Sequence, residues 1–173
     1  MARYDASNAD CFVFTFKEGL MSAVAHDLKL RVGSWHMDVD ADAGTLSASF
    51  DAGSLRYVTA MKDGRENRSA LGIDAKKIEK NIQKDVLNVR KNPTVTFKAT
   101  SLTASGDGYS VTGDLSLNGV TRSVTGTVTR QGGRLETLVR LNQPDYRIKP
   151  YSAMLGALKI KPMVEVKISV PAE

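Results

Sequence analysis

The chain has 173 residues, 42% of them hydrophobic and 25% charged, with 24 Lys and Arg against 19 Asp and Glu for a net charge of +5. That balance fits a single soluble domain over residues 1–173 and excludes collagen-like, disulfide-scaffold and disordered chains. With 6% aromatic residues and no basic strand interleaved with rings, the sequence also excludes a dedicated nucleic-acid binder.

Met1 to Phe16 carries Arg3, Asp5 and Asp10 and shows no uninterrupted apolar core of an export signal, so the expected setting is cytoplasmic. Cys11 is a lone cysteine, which leaves no internal disulfide to form. No run of about 18 apolar residues is present to predict a spanning helix.

The first element, Cys11 to Phe16, alternates with the period of a strand, and its Phe12, Phe14 and Phe16 face is expected to be buried. Gly19 to His26 is short, small and apolar and predicts a brief helix after that strand. Alternation resumes at Leu28, Leu30 and Val32 but shifts parity to Trp35, Met37 and Val39, which predicts a β-bulge at Gly33-Ser34. Asp42-Ala43-Gly44 is turn chemistry, and Leu46, Ala48 and Phe50 then share the inner face of the next strand. Lys62 to Arg68 has no periodicity and reads as an exposed connection.

One amphipathic helix is predicted over about 74–90, with Ile78, Ile82, Val86 and Val89 on its apolar stripe, Asp74 as N-cap and Asn92-Pro93 as its stop. Strands follow from Thr94 (Val95, Phe97, Ala99), from Tyr109, and across Asn118-Gly119, the two-residue signal of a type I′ hairpin. Val120 to Arg130, Leu135 to Leu141 and Met163 to Val170 complete the set, with Val164, Val166, Ile168 and Val170 inward on the last. The count is about eight strands, the number at which an antiparallel barrel holds one small ligand. The expected fold is therefore mainly β: an eight-stranded antiparallel lipocalin-like β-barrel with one amphipathic α-helix.

Three blocks carry a family resemblance. They are Phe12 to Phe16 followed by Val24-Ala25-His26-Asp27-Leu28, then Asn92-Pro93-Thr94-Val95-Thr96-Phe97, then Gly113-Asp114-Leu115-Ser116-Leu117-Asn118-Gly119-Val120-Thr121. Through them the chain resembles the YceI-like family, whose members are lipocalin-like barrels associated with polyisoprenoids or other amphiphiles and are often exported. The resemblance implies a non-catalytic protein that binds, transports or sequesters a hydrophobic small molecule such as a polyisoprenoid or fatty acid.

The lumen is expected to be lined by Phe12, Phe14, Phe16, Leu30, Val32, Phe50, Val95, Phe97, Val164 and Val166. Ala48, Ala99 and Gly113 are too small to fill it. Arg147, Lys149 and Tyr151, just before the last strand, are the candidates for head-group recognition at the mouth. The alternative is a structural or stress-related interaction module with a filled barrel and a protein partner. His26-Asp27 invites a general-base reading, yet no nucleophile motif accompanies it, and His26 reads as a structural imidazole at a strand entry. No enzyme activity, cofactor or metal site is expected, because two histidines and one cysteine are scattered. The Lys76, Lys77, Lys80 and Lys84 face of the helix suits transient contact with an anionic membrane surface, and a homodimer is compatible with the pattern.

Overall fold

A computed structural model describes residues 1–19 and 25–172. The predicted helix after the first strand falls mostly on residues 20–24 and so lies outside the described residues.

In chain order the strands are β1 (Ala2–Asp5), β2 (Asp10–Thr15), β3 (Asp27–Val32), β4 (Trp35–Asp40), β5 (Thr45–Asp51), β6 (Leu55–Lys62) and β7 (Arg65–Asn67). After helix α1 (Ala75–Asn81) come β8 (Thr94–Ser105), β9 (Gly108–Leu117), β10 (Val120–Gln131), β11 (Arg134–Asn142), β12 (Ser152–Ala153), β13 (Leu158–Lys159) and β14 (Met163–Pro171). Twelve of them form one antiparallel sheet in the order β1-β4-β5-β8-β9-β10-β11-β14-β2-β3-β6-β7, and β12 and β13 form a small separate hairpin. The sheet curls strongly into a half-barrel that resembles the lipocalin-like fold.

The strand number corrects the expected eight. β1 and the short charged β7 add edges that alternation did not reveal, and two long apolar runs are each broken by a corner. β3 passes into β4 through Gly33-Ser34, and β5 passes into β6 through a 3₁₀ turn at Ala52–Ser54. One bent hairpin therefore supplies β4 and β5 toward one end of the strand order and β3 and β6 toward the other.

At the corner the ladder is replaced by a compact set of bonds. Gly33 N–H donates to Ser54 O at 3.0 Å, and Asp51 N–H donates to Ser34 O at 2.9 Å. Ser54, buried at 8% exposure, accepts from Ser34 N–H through its hydroxyl at 3.0 Å and donates to Asp51 O at 2.7 Å. The parity shift at Gly33-Ser34 thus comes from a two-strand corner rather than the predicted bulge. Register shifts sit elsewhere, between Lys29 and Leu30 opposite β6 and between Ala99 and Ser101 opposite β9.

Asp74 caps α1 as its chemistry suggests, accepting from Lys77 N–H at 3.1 Å. The helix is shorter than the predicted span. It widens into a π turn at Ile82–Val86, and Asn88 (φ 45) turns left-handed to stop it before Asn92-Pro93 is reached. The π turn rotates the apolar stripe, so Ile78, Ile82, Val86 and Leu87 face the sheet's interior and Val89 leaves that line. Among the described residues no helix is long and apolar enough to cross a membrane.

Asn118 (φ 52) and Gly119 (φ 73) are both left-handed, the geometry a type I′ turn requires, and Leu117 pairs with Val120 across them. The Asn118 amide also accepts from Asn92 Nδ2 at 2.8 Å and donates to Tyr146 O at 3.0 Å, joining the hairpin to two other connections.

Gly113 sits opposite Ala99 with no room for a side chain. A Cβ there would fall 2.5 Å from both Lys98 O and the Phe97 ring. Gly113→Ala is expected to lower unfolding free energy by about 1–3 kcal/mol, from overpacking against backbone that cannot retreat. Urea denaturation followed by circular dichroism checks this, and an unchanged midpoint would contradict the packing.

Candidate functional site: an apolar lumen with a polar mouth

The curled sheet and α1 surround a cavity of about 740 Å³, within the size range of small-molecule sites. Its walls are mostly apolar and come from every long strand and from the helix. Near the N-terminal segment, Ala9, Cys11, Met37 and Val170 are buried in one cluster against which Ala6 and Leu135 pack. Toward the helix side, buried Leu115, Tyr146 and Ile148 pack with Val86, Leu87 and Phe97.

Of the predicted lumen set, Leu30, Val32, Phe50, Val95, Phe97, Val164 and Val166 line the cavity. Phe12, Phe14 and Phe16 do not. The other face of β2, carrying Cys11, Val13 and Thr15, points inward instead. Register explains the correction, since directly paired residues on antiparallel strands lie on the same side of the sheet. Val13 pairs with Leu30 and Thr15 with Leu28, so these must share the inner side. Phe12 pairs with Arg31 and Lys167, and Phe14 with Lys29 and Glu165. The Phe12 ring is covered on the outer face by Lys29 Nζ, 4.2 Å from its centroid, with the Arg31 guanidinium at 5.8 Å. Of the small residues, Ala48 lines the lumen, while Ala99 and Gly113 do not.

The polar lining groups include Thr15, Asp51 and Thr137 on strands and, carried by connections or by α1, His26, Asp74, Lys77, Asn81, Gln143 and Tyr151. Of the predicted mouth residues only Tyr151 is among them, its hydroxyl accepting from Asn81 Nδ2 at 3.0 Å. Arg147 and Lys149 are exposed and point away. Tyr146 and Ile148, at 3% and 4% exposure, turn inward in their place. Burial pushes the Tyr146 phenol above its ordinary value.

Lys77 and Asn81 were missed because a helix with a lysine-rich side reads as solvated. Their place in the cavity lining and the bond between Asn81 and Tyr151 show that this side meets the cavity. His26 and Asp27 do not act on one another. His26 Nε2 donates to Leu71 O at 3.1 Å, and the Asp27 carboxylate accepts from Lys17 N–H at 2.8 Å. Among the described residues no group of three or more His, Cys, Asp or Glu side chains is placed to hold a metal ion.

A curled antiparallel sheet around an apolar lumen defines the chain as a cavity-bearing, lipocalin-like β protein. The YceI-like domain pattern matches residues 4–172, and the chain belongs to the YceI-like family. UPF0312 proteins of Pseudomonas aeruginosa are 58% identical over 41 residues, 24% of this chain and 22% of theirs. A UPF0312 protein of Yersinia pestis is 57% identical over 42 residues, with the same shares of 24% and 22%. The matched stretch thus spans about a fifth of these curated relatives' length.

Solved structures that share the fold include the following two. BcnA of Burkholderia cenocepacia superposes with a TM-score of 0.61 at 18% identity, covering 94% of this chain and 96% of that one. A polyisoprenoid binding domain from Saccharophagus degradans gives 0.62 at 13% identity, covering 99% and 97%.

Cys11 lies on the lumen wall at 1% exposure. Burial pushes its thiol from the ordinary 9.0 up to about 12, so it is neutral at physiological pH. The folded chain then holds this proton at pH values where the unfolded chain has lost it, and stability from this group falls as pH rises through the window from 9.0 toward about 12. The difference in unfolding free energy between the native chain and Cys11→Ala should therefore shift against the native chain between pH 8 and pH 10.5. Paired urea titrations at the two pH values test it, and a pH-independent difference would show that the thiol is not held neutral.

Proposed function

We propose that this chain binds a long apolar amphiphile, an isoprenoid or fatty chain, in its lumen and carries or sequesters it without chemical change. The observation that supports this most is the division of the cavity: strand walls that are apolar except for Thr15, Asp51 and Thr137, with His26 and Tyr151 on connections and Lys77 and Asn81 on α1 gathered at the helix side. A hydrocarbon chain suits the first and a polar head group the second. The structural neighbour from Saccharophagus degradans, described as a polyisoprenoid binding domain, agrees with this reading.

Each buried CH₂ would contribute about 0.8 kcal/mol before ordering costs, so affinity would come from area and selectivity from length and shape. At the mouth, the Lys77 ammonium and the Asn81–Tyr151 pair offer a cation, an amide and a phenol to the head group. A lumen of about 740 Å³ weighs against a filled barrel acting only through a protein partner.

Native mass spectrometry of the purified protein with organic extraction, followed by titration with a fluorescent fatty acid and an isoprenoid alcohol, tests the reading. A one-to-one complex is expected. Ala48→Phe, which places a ring where Ala48 opens the wall between Met37 and Phe97, should weaken binding by roughly tenfold or more while the fold is retained. Failure of the native chain to bind either probe would overturn the proposal.

A further inference from the structure

Apolar side chains that stand in water at the rim of this cavity are not explained by the lumen itself. Leu155 is fully exposed at 109%, Leu71 at 85% and Met154 at 63%. All three are at the mouth. Met154 lines the cavity, Leu71 is held beside it by the bond from His26 to its carbonyl, and Leu155 sits at the tip of the β12–β13 hairpin. The Asn81–Tyr151 bond ties α1 to the base of that hairpin, so the two apolar projections flank one opening.

The backbone at the tip is unusual. Met154 (φ 54), Leu155 (φ 55) and Gly156 (φ 88) are successive left-handed residues, a conformation that Met and Leu adopt only where something holds them there. Here β12 and β13 pair on either side of the tip, Ser152 with Lys159 and Ala153 with Leu158. The result presents two large apolar side chains outward instead of folding them into the core.

The same rim is basic. Lys77 lines the cavity, Lys76 and Lys80 share α1 with it, and Lys159 and Lys161 lie on and just after β13; all five are exposed, and among the described residues none is in an ion pair with a carboxylate. The helix carries three carboxylates, Asp74 and Glu79, which accept from Lys77 N–H and Tyr57 N–H, and the exposed Asp85 of the π turn, against four exposed lysines, Lys76, Lys77, Lys80 and Lys84, so it stays net basic. Apolar tips ringed by unpaired ammonium groups match the interface of an anionic bilayer, where the tips enter the acyl boundary and the lysines meet lipid phosphates.

We infer that the mouth of the cavity is a docking surface for an anionic lipid bilayer, seated through Leu155, Met154 and Leu71 and steered by the surrounding lysines. Docking in this pose sets the opening of the lumen against the membrane, so a chain could pass between the two without crossing water. That use of the surface rests on the ligand reading above; the surface itself does not.

Co-sedimentation with vesicles of phosphatidylcholine plus phosphatidylglycerol, against vesicles of phosphatidylcholine alone, tests it. The native chain should sediment with the anionic vesicles, less so at high salt, and weakly with the neutral ones. The double variant Leu71→Asp/Leu155→Asp changes two residues outside the cavity wall, and Asp tolerates the left-handed backbone at 155. Its partitioning onto anionic vesicles should fall by roughly tenfold or more, while its binding of the fluorescent fatty acid in vesicle-free buffer matches the native chain.

Equal sedimentation of variant and native chain, or no sedimentation of the native chain, overturns the inference. Vesicle binding that is sensitive to the double variant in a protein that takes up no fatty acid or isoprenoid supports the docking surface and overturns the ligand reading alone.

Discussion

The antiparallel pairing rule, that directly opposite residues share a side, decides what this protein encloses. Once Leu28 and Leu30 face inward, Thr15 and Val13 must follow, and through β14 so must Val166 and Ile168. The rule runs from strand to strand until it reaches the corner at Gly33 and Ser54, where the bonds change partners and the same hairpin turns from one side of the sheet to the other. The lumen exists because the inward side is preserved through that corner, as the burial of Val32 before it and Met37 after it shows.

How far the sequence discloses this architecture depends on whether the signal is local. Asn118-Gly119, the Asp74 cap and the alternation of β9 through β11 are local, and each stands in the structure where the residues place it. The side that β2 buries is not a local property. Three phenylalanines outweigh Cys11, Val13 and Thr15 in hydrophobicity, but the neighbours of Phe12 and Phe14 across the sheet are Arg31, Lys167, Lys29 and Glu165, and the Phe12 ring serves well beneath cations. The helix was legible in its beginning and not in its end, because a left-handed asparagine after a π turn stops it before the proline does. Corners and edges were invisible for a related reason: Ser54 and β7 carry no periodicity, and their roles arise only from what lies opposite them.

The candidate site divides in the same way. Residues on long strands could be assigned to the wall from alternation, as with Val95, Phe97, Val164 and Val166. The polar mouth is assembled from segments distant in sequence, His26, Lys77, Asn81 and Tyr151, and each taken alone resembles an ordinary surface residue. Arg147 and Lys149 drew attention as the nearest basic pair before the last strand, yet the buried Tyr146 and Ile148 own the inward direction there. Irregular segments have no fixed period, so which of two neighbours faces a cavity is settled by packing.

A sheet that ends in β1 and β7 leaves two rows of backbone donors and acceptors without a neighbouring strand. Such rows invite other chains to add on, and the composition of both guards against it. β7 has three residues, Arg65, Glu66 and Asn67, and Glu66 is bound to Lys29 and Arg68 at 3.1 and 2.8 Å. β1 has four, with Arg3 paired to Asp38 at 3.0 Å. Short length and fixed charge make each edge a poor template for strand addition. The molecule can keep its sheet curled around an open cavity, instead of sealing every backbone bond, without becoming a seed for aggregation.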